Sequence, residues 1–389
     1  MTAGTASPSE IAAVHADRLA RARDGVAISG AGALLIGIGA DLRYLTGHTA
    51  HPLERLTMLV LPGDGPATLV APRLEAMAAA GSPVASDGLV DVIAWDETDD
   101  AYSVVAGQLA AVGVDPEARL LVDPGLWSMH LLGLQRALPG RGFGLATEVT
   151  RALRMAKSPD EIERLRAAAH AADRVVLRIA AGRLVGRTEA DVSREVRERL
   201  VDEGHESASF AIVASGPNSA SPHHEPGDRT IQPGDPIVLD IGGVRQGYCS
   251  DITRTLWVTG GDPDGEPDPE FLAIFGLVRD ANRAAIMAVQ PGVTCGELDA
   301  VARRIITAGG HGDAFLHRLG HGIGLEAHEE PYLVAGNAEP LEPGHAFSVE
   351  PGIYLAGQYG VRIEDIVVCR QGGADVLNEA PRDLLIVPG

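Results

Sequence analysis

Short apolar runs alternate with amphipathic stretches through the first 150 residues. Apolar positions from Ile11 to Ala22 recur at helical spacing, whereas Ala33–Ile38, Thr57–Leu61, Ala67–Val70 and Leu120–Val122 are short continuous runs that predict strands. Strands separated by helical segments predict an α/β layer domain over 1–150. The pattern then changes. Ser158-Pro159-Asp160-Glu161 combines a capping serine, a proline at the first helical position and a glutamate at the third. Ile162, Leu165, Ala169 and Ala172 follow at helical spacing, so a second domain is expected over 151–389.

That second region repeats itself. Gly186-Arg-Thr188-Glu-Ala-Asp191-Val192 matches Gly292-Val-Thr294-Cys-Gly-Glu297-Leu298 at an offset of 106 residues, and the same offset carries Gly204-His205 onto Gly310-His311. Ile231 through Asp240 matches Leu341 through Glu350 at an offset of 110. Three matches in one order predict two copies of a helix-then-hairpin unit related by a pseudo-twofold. Asp240 and Glu350 then occupy equivalent strand positions and converge on one point. Each half also offers a further acid on the next strand, Asp251 and Glu364, beyond glycine-rich turns that predict hairpins.

Composition narrows the chemistry. The formal net charge is −21, a field that repels phosphate backbones and argues against nucleic acid. Only one lysine occurs, Lys157, against 31 arginines. It lies at a helix entry, which excludes a P-loop and a pyridoxal enzyme. Gly30-Ala-Gly32 lacks the third glycine of a dinucleotide loop, and no Gly-x-Ser-x-Gly elbow is present. Cys249, Cys295 and Cys369 are too scattered to imply a disulfide framework. The longest apolar run, Ala31–Ala40, is half a membrane span, and no basic, apolar leader pattern opens the chain. A cytoplasmic setting without membrane contact is the expectation.

Asp240, Glu350 and Glu364 are embedded in apolar strand sequence, where an ionised carboxylate costs several kcal/mol unless paired or bound to metal. Arg254 and Arg362 could pair with two acids, but four converging carboxylates ask for more. His317-Arg-Leu-Gly-His321-Gly-Ile-Gly-Leu-Glu-Ala-His328 adds three histidines within twelve positions. Its glycines predict a strand or loop whose backbone approaches a ligand closely, and no His-Glu-x-x-His zinc helix occurs. His223 and His224 lie on a Pro/Gly/Ser loop; the sequence offers no physical account of His224. An oxygen-rich donor set favours Mn²⁺, with Co²⁺, Fe²⁺ or Zn²⁺ as alternatives. Two such ions ~3.5–4 Å apart serve amide or phosphoester hydrolysis, and the shortage of cationic groups favours amides.

The motifs Asp240-Ile-Gly-Gly, Ser250-Asp251-Ile-Thr-Arg-Thr255, His317-x-x-Gly-His321-Gly-Ile-Gly, Val349-Glu350-Pro-Gly-Ile-Tyr354 and Val361-Arg-Ile-Glu364-Asp resemble the pita-bread metallopeptidases. Arg43-Tyr-Leu-Thr-Gly47 and a preceding α/β domain resemble the aminopeptidase P and prolidase branch. The resemblance implies a creatinase-like N-terminal α/β domain followed by a pita-bread domain, an α+β architecture. It implies that Asp240 binds one metal, that His321 and Glu350 bind the other, and that Asp251 and Glu364 bridge both. A bridging hydroxide would attack the scissile carbonyl, and Glu350 would pass the proton to the leaving nitrogen. His223 and His328 would contact the substrate carbonyl or stabilise the oxyanion. Arg362 would bind a substrate carboxylate, His317 would line the pocket and Thr253 would support the bridging water. A homodimer is also implied.

All five ligand positions are filled, which argues against a metal-free creatinase-like activity and against a non-catalytic binding protein on this fold. The reading is a metal-dependent hydrolase of Xaa-Pro bonds whose substrate is a small peptide with proline after the scissile bond. Compact length favours a dipeptidase over an Xaa-Pro aminopeptidase. A small-molecule amide or amidine hydrolase is the further alternative.

Overall fold

The computed structural model describes residues 8–261 and 265–388. The chain divides into two compact units, Met1–Arg154 and Met155–Gly389. Strands of the first are β1 (Ala33–Gly37), β2 (Met58–Pro62), β3 (Ala67–Pro72), β4 (Val90–Trp95), β5 (Leu120–Val122) and β6 (Phe143–Leu145), in the sheet order β4-β3-β2-β1-β5-β6. Its helices are α1 (Pro8–Ser29), α2 (Ala40–Thr46), α3 (Ala76–Ala80), α4 (Pro83–Ser86), α5 (Ala101–Ala111), α6 (Ser128–Ala137) and α7 (Thr147–Met155), the last ending at the unit boundary. Every residue of β1, β2 and β3 is buried, so both faces are covered and the strands read as near-continuous apolar runs, Thr68 being the exception. β4 carries an exposed Asp91 and partly buried neighbours, which hid it from a reading based on continuous runs.

In the second unit the helix start at Ser158 is a complete capping box: Ser158 accepts from the Glu161 backbone N–H, and Glu161 accepts from that of Ser158. It opens α8 (Pro159–Ala180), followed by α9 (Glu189–Asp202), β7 (Ser207–Ser215), β8 (Pro236–Arg245) and β9 (Tyr248–Val258). The order then recurs as α10 (Pro269–Ala288), α11 (Cys295–Ala308), β10 (Gly320–Gly322), β11 (Glu329–Leu333) and β12 (Ala346–Val349). The chain continues through β13 (Gly352–Leu355), β14 (Tyr359–Arg362), β15 (Asp365–Arg370), β16 (Gly373–Val376) and β17 (Leu385–Val387). Thr188 and Thr294 cap α9 and α11 through the same side-chain bond to the third helical residue, the physical basis of the repeat seen at that offset.

The strands form sheets β17-β9-β8-β7 and β11-β10-β12-β15-β16, each with its own helix-covered core. In the second copy the expected simple hairpin is interrupted, because β13 and β14 form a separate two-stranded ribbon between β12 and β15. The three cysteines are free and buried. Among the described residues no helix is long and apolar enough to cross a membrane.

Candidate active site

The β8–β9 register sets the first half of the site. Asp240 lies opposite Thr253, and Asp251 lies opposite Gly242, so Asp240, Asp251 and Thr253 share one face. The tight turn that fixes this register, Gln246-Gly247, has both residues at positive φ, 50° and 79°, as two-residue hairpins require. In the second half β12 pairs with β15 so that Val349 faces Asp365. Glu350 and Glu364 follow immediately beyond the end of that ladder. A hydrogen bond of 3.1 Å from the Glu364 backbone N–H to the Thr253 carbonyl joins the two halves.

His321 sits at the centre of β10, between glycines. The sequence suggested that these glycines admit a ligand; the structure assigns them to strand packing instead. A Cβ on Gly320 would lie 2.0 Å from the Ser348 carbonyl oxygen, and one on Gly322 would lie 2.2 Å from that of Glu330. The third glycine, Gly324, makes room for the Glu329 carboxylate.

Asp240, Asp251, His321, Glu350 and Glu364 line one cavity of about 600 Å³. Of the two arginines available for pairing, Arg254 turns to Asp365 at 2.8 Å and Arg362 to Asp240 at 2.6 Å. Asp251, Glu350 and Glu364 have no guanidinium or ammonium partner among the described residues. Burial, then the neighbouring carboxylates, pushes Asp251 and Glu364 well above the usual carboxylate range. Burial also raises Asp240, although Arg362 opposes it. Burial acts on Glu350 in the same direction, but the hydrogen bond and charge of His321 overcome it and hold Glu350 down to about 2.

The donor set fits divalent cations. Asp251, His321 and Glu364 present ligand atoms that all lie within 4.8 Å of one another. Asp240 Oδ1 is buried with no hydrogen-bond partner among the described residues. His321 Nδ1 lies 3.1 Å from the Gly322 carbonyl, and donation there aims Nε2 at the carboxylates, 3.2 Å from Glu350 Oε1, where the ring would ligate a cation through Nε2. Thr253 Oγ1 donates to Glu364 Oε2 at 2.8 Å and accepts from Arg362 Nε at 3.1 Å, orienting one acid and tying it to the guanidinium.

A second chain of bonds runs along the wall. Arg362 Nη1 donates to the Tyr354 hydroxyl (2.8 Å), which donates to His317 Nε2 (2.8 Å), and His317 Nδ1 donates to the Arg318 carbonyl (2.7 Å). Burial lowers His317, consistent with this neutral tautomer, and raises Tyr354 to about 12. His328 stands against His321 with ring centroids 4.1 Å apart; partial burial, with His321 and Arg318 nearby, pushes it down to about 4. His223 is exposed, on the loop between β7 and β8, and also lines the cavity.

His224 now has an account. Its Nε2 lies 2.7 Å from Glu189 Oε2, and Glu189 also accepts from the Ser215 backbone and hydroxyl and from the Asn218 amide. This buried glutamate clasps both ends of the loop that presents His223. Sequence reasoning missed it, although Glu189 follows the repeated Gly-x-Thr signature by one residue. Lys157 was likewise left without a role; its ammonium is buried and bonds Glu329 Oε1 at 2.7 Å, next to His328. Tyr354 was visible only as part of a motif.

A buried cluster of acids with one histidine, carried by a two-copy sheet domain that follows an α/β domain in the sequence, is the donor set of a metal-dependent hydrolase, and the family comparisons make it a metallopeptidase. The family model of metallopeptidase family M24 matches residues 163–371, and that of the creatinase/prolidase N-terminal domain matches 18–156. The chain belongs to metallopeptidase family M24. It is 46% identical over 378 residues to the "Probable dipeptidase PepE" of Mycobacterium tuberculosis, covering 97% of this chain and 98% of that one. It is 36% identical to an Xaa-Pro dipeptidase of Lactobacillus delbrueckii subsp. lactis, over 89% of this chain and 92% of the relative. The crystal structure of dipeptidase PepE from Mycobacterium ulcerans superposes with a TM-score of 0.91 at 46% identity, covering 97% of this chain and 99% of that one.

Proposed function

We propose that this enzyme hydrolyses Xaa-Pro dipeptides using two divalent ions held by Asp240, Asp251, His321, Glu350 and Glu364. The observation that carries the reading is the gathering of four buried or nearly buried carboxylates and His321 on one cavity, with one guanidinium among them. Such ions, when bound, activate water at neutral pH and polarise the scissile carbonyl. The other roles fall to the chain. Thr253 and Ser348 orient Glu364 and Glu350 through their hydroxyls. With Oε1 engaged by Ser348, Glu350 keeps Oε2 to carry a proton to the leaving nitrogen. Proline's amide has no N–H, so its nitrogen leaves as a secondary amine only once protonated. His223 and His328, which both line the cavity, hold the carbonyl oxygen as charge develops on it. His317 shapes the wall through Tyr354, and Arg362 anchors Asp240 while facing the substrate.

The proposal includes Mn²⁺ as the native ion, supported by the oxygen-rich donors, together with a cytoplasmic homodimer. The test is hydrolysis of Ala-Pro against Ala-Pro-Ala after chelation and Mn²⁺ addition, with Asp251→Asn as control. Dipeptide cleavage that returns only with metal is the expected result. Cleavage of the tripeptide alone moves the assignment to an Xaa-Pro aminopeptidase. Failure on both substrates with two metals bound overturns the proline reading.

A further inference from the structure

An Xaa-Pro dipeptide carries a free carboxylate one residue beyond the scissile bond, and it must enter a cavity already lined by four acids. Some cation has to receive it. Arg362 is buried and already donates through Nε to Thr253, through Nη1 to Tyr354 and through Nη2 to Asp240. Arg197, on the β7 side, is exposed and donates to the Ala208 carbonyl. Arg318 is different. It lines the same cavity beside His317, and its guanidinium carbon stands 4.2 Å from the centroid of the Tyr332 ring. Among the described residues no acceptor for its guanidinium N–H groups and no carboxylate partner lies within bonding distance. Stacking uses only the face of a guanidinium; the N–H groups lie in its plane and stay free to fork onto a carboxylate.

We infer that Arg318, seated on Tyr332, is the residue that receives the substrate's terminal carboxylate and so sets the preference for dipeptides. This deepens the proposed function and rests on it. The backbone at Arg318 is pinned, because its carbonyl accepts from His317 Nδ1, in the chain that runs through Tyr354 to Arg362. The side chain therefore starts from a fixed base, on an aromatic platform carried by β11, the strand that follows His328. A longer peptide offers a neutral amide at that point and forfeits the ion pair. The cation is also only half-buried, so it stays hydrated until substrate displaces water, and the preference is one of KM rather than of the chemical step.

The experiment compares Ala-Pro with Ala-prolinamide, its neutral isostere, in the metal-loaded wild type and in Arg318→Ala, Arg318→Lys and Arg197→Ala. Arg318→Ala is expected to raise KM for Ala-Pro about 10- to 100-fold, the worth of a charge-assisted hydrogen bond, with kcat nearly unchanged. Its effect on Ala-prolinamide is expected to be under about twofold. Arg318→Lys should recover part of the loss, since charge returns without the fork. L-proline, titrated into each protein by calorimetry, should weaken by a similar factor in Arg318→Ala, a readout independent of turnover. Equal losses on both substrates, or no loss on Ala-Pro, overturn the inference, as does a loss that appears in Arg197→Ala instead. Wild-type enzyme that cleaves neither substrate overturns the Xaa-Pro reading itself, and that outcome is seen before any variant is made.

Discussion

Glu189 holds its loop by satisfying donors that would otherwise be stranded: the Ser215 backbone and hydroxyl, the Asn218 amide and the His224 ring. Removing it as Glu189→Ala leaves those groups without their acceptor in a buried site. Stability should fall by on the order of 2–3 kcal/mol, read from urea midpoints, and kcat/KM should drop as His223 loses its support. Glu189→Gln, which keeps an acceptor oxygen, should recover much of the stability. The pH sign follows from its environment. Burial tends to raise Glu189, but Ser215, His224 and Asn218 outweigh it and hold the carboxyl below its ordinary value. Its contribution is therefore complete above roughly pH 4.3 and drains away as pH falls through that range and below. Unfolding midpoints of wild type and Glu189→Gln, compared from pH 6 down to pH 3, should converge on the acid side. A gap that widens toward acid would contradict the assignment.

Elements carry the next layer, and β10 is the one most constrained by its neighbours. Gly320→Ala places a methyl group against the Ser348 carbonyl, which is backbone and cannot swing aside. The strand must shift and take His321 with it. A loss of roughly 1–3 kcal/mol in stability is expected, together with a larger loss of bound metal, measured by elemental analysis. Full metal occupancy in that variant would show that β10 has slack. Much of this layer could be read in advance. The capping box at Ser158, the strand at Leu120–Val122 and the twofold recurrence around Asp240 and Glu350 all rest on local chemistry that sequence displays. The ribbon of β13 and β14 did not show, because nothing local distinguishes a strand that leaves its sheet from one that stays. The Glu189–His224 and Arg318–Tyr332 contacts join residues separated in sequence, and such pairings follow from packing rather than from any periodicity.

At the scale of the whole molecule, 53 acidic residues against 32 basic ones give a strongly anionic chain, and the active site concentrates that imbalance where water is scarce. Cations that bind only the folded form stabilise it by mass action. Chelation should therefore lower the melting temperature, and each tenfold excess of metal over its dissociation constant should restore about 1.4 kcal/mol. Asp251→Asn, with one ligand gone and one like charge fewer, should show a much smaller difference between chelated and metal-loaded protein. A melting temperature that ignores chelation in the wild type would separate fold stability from the metal centre.

The solitary lysine has a practical corollary. Its side chain is 1% exposed and locked to Glu329, so the native second unit offers acylating reagents, aldehyde crosslinkers and isopeptide-forming enzymes no side-chain amine. Every other long basic side chain is arginine, which those chemistries ignore at neutral pH. Acylation at Lys157 thus becomes a clock for opening of this unit: the rate at which mass spectrometry finds the modified peptide reports how often the segment that seats His328 comes apart.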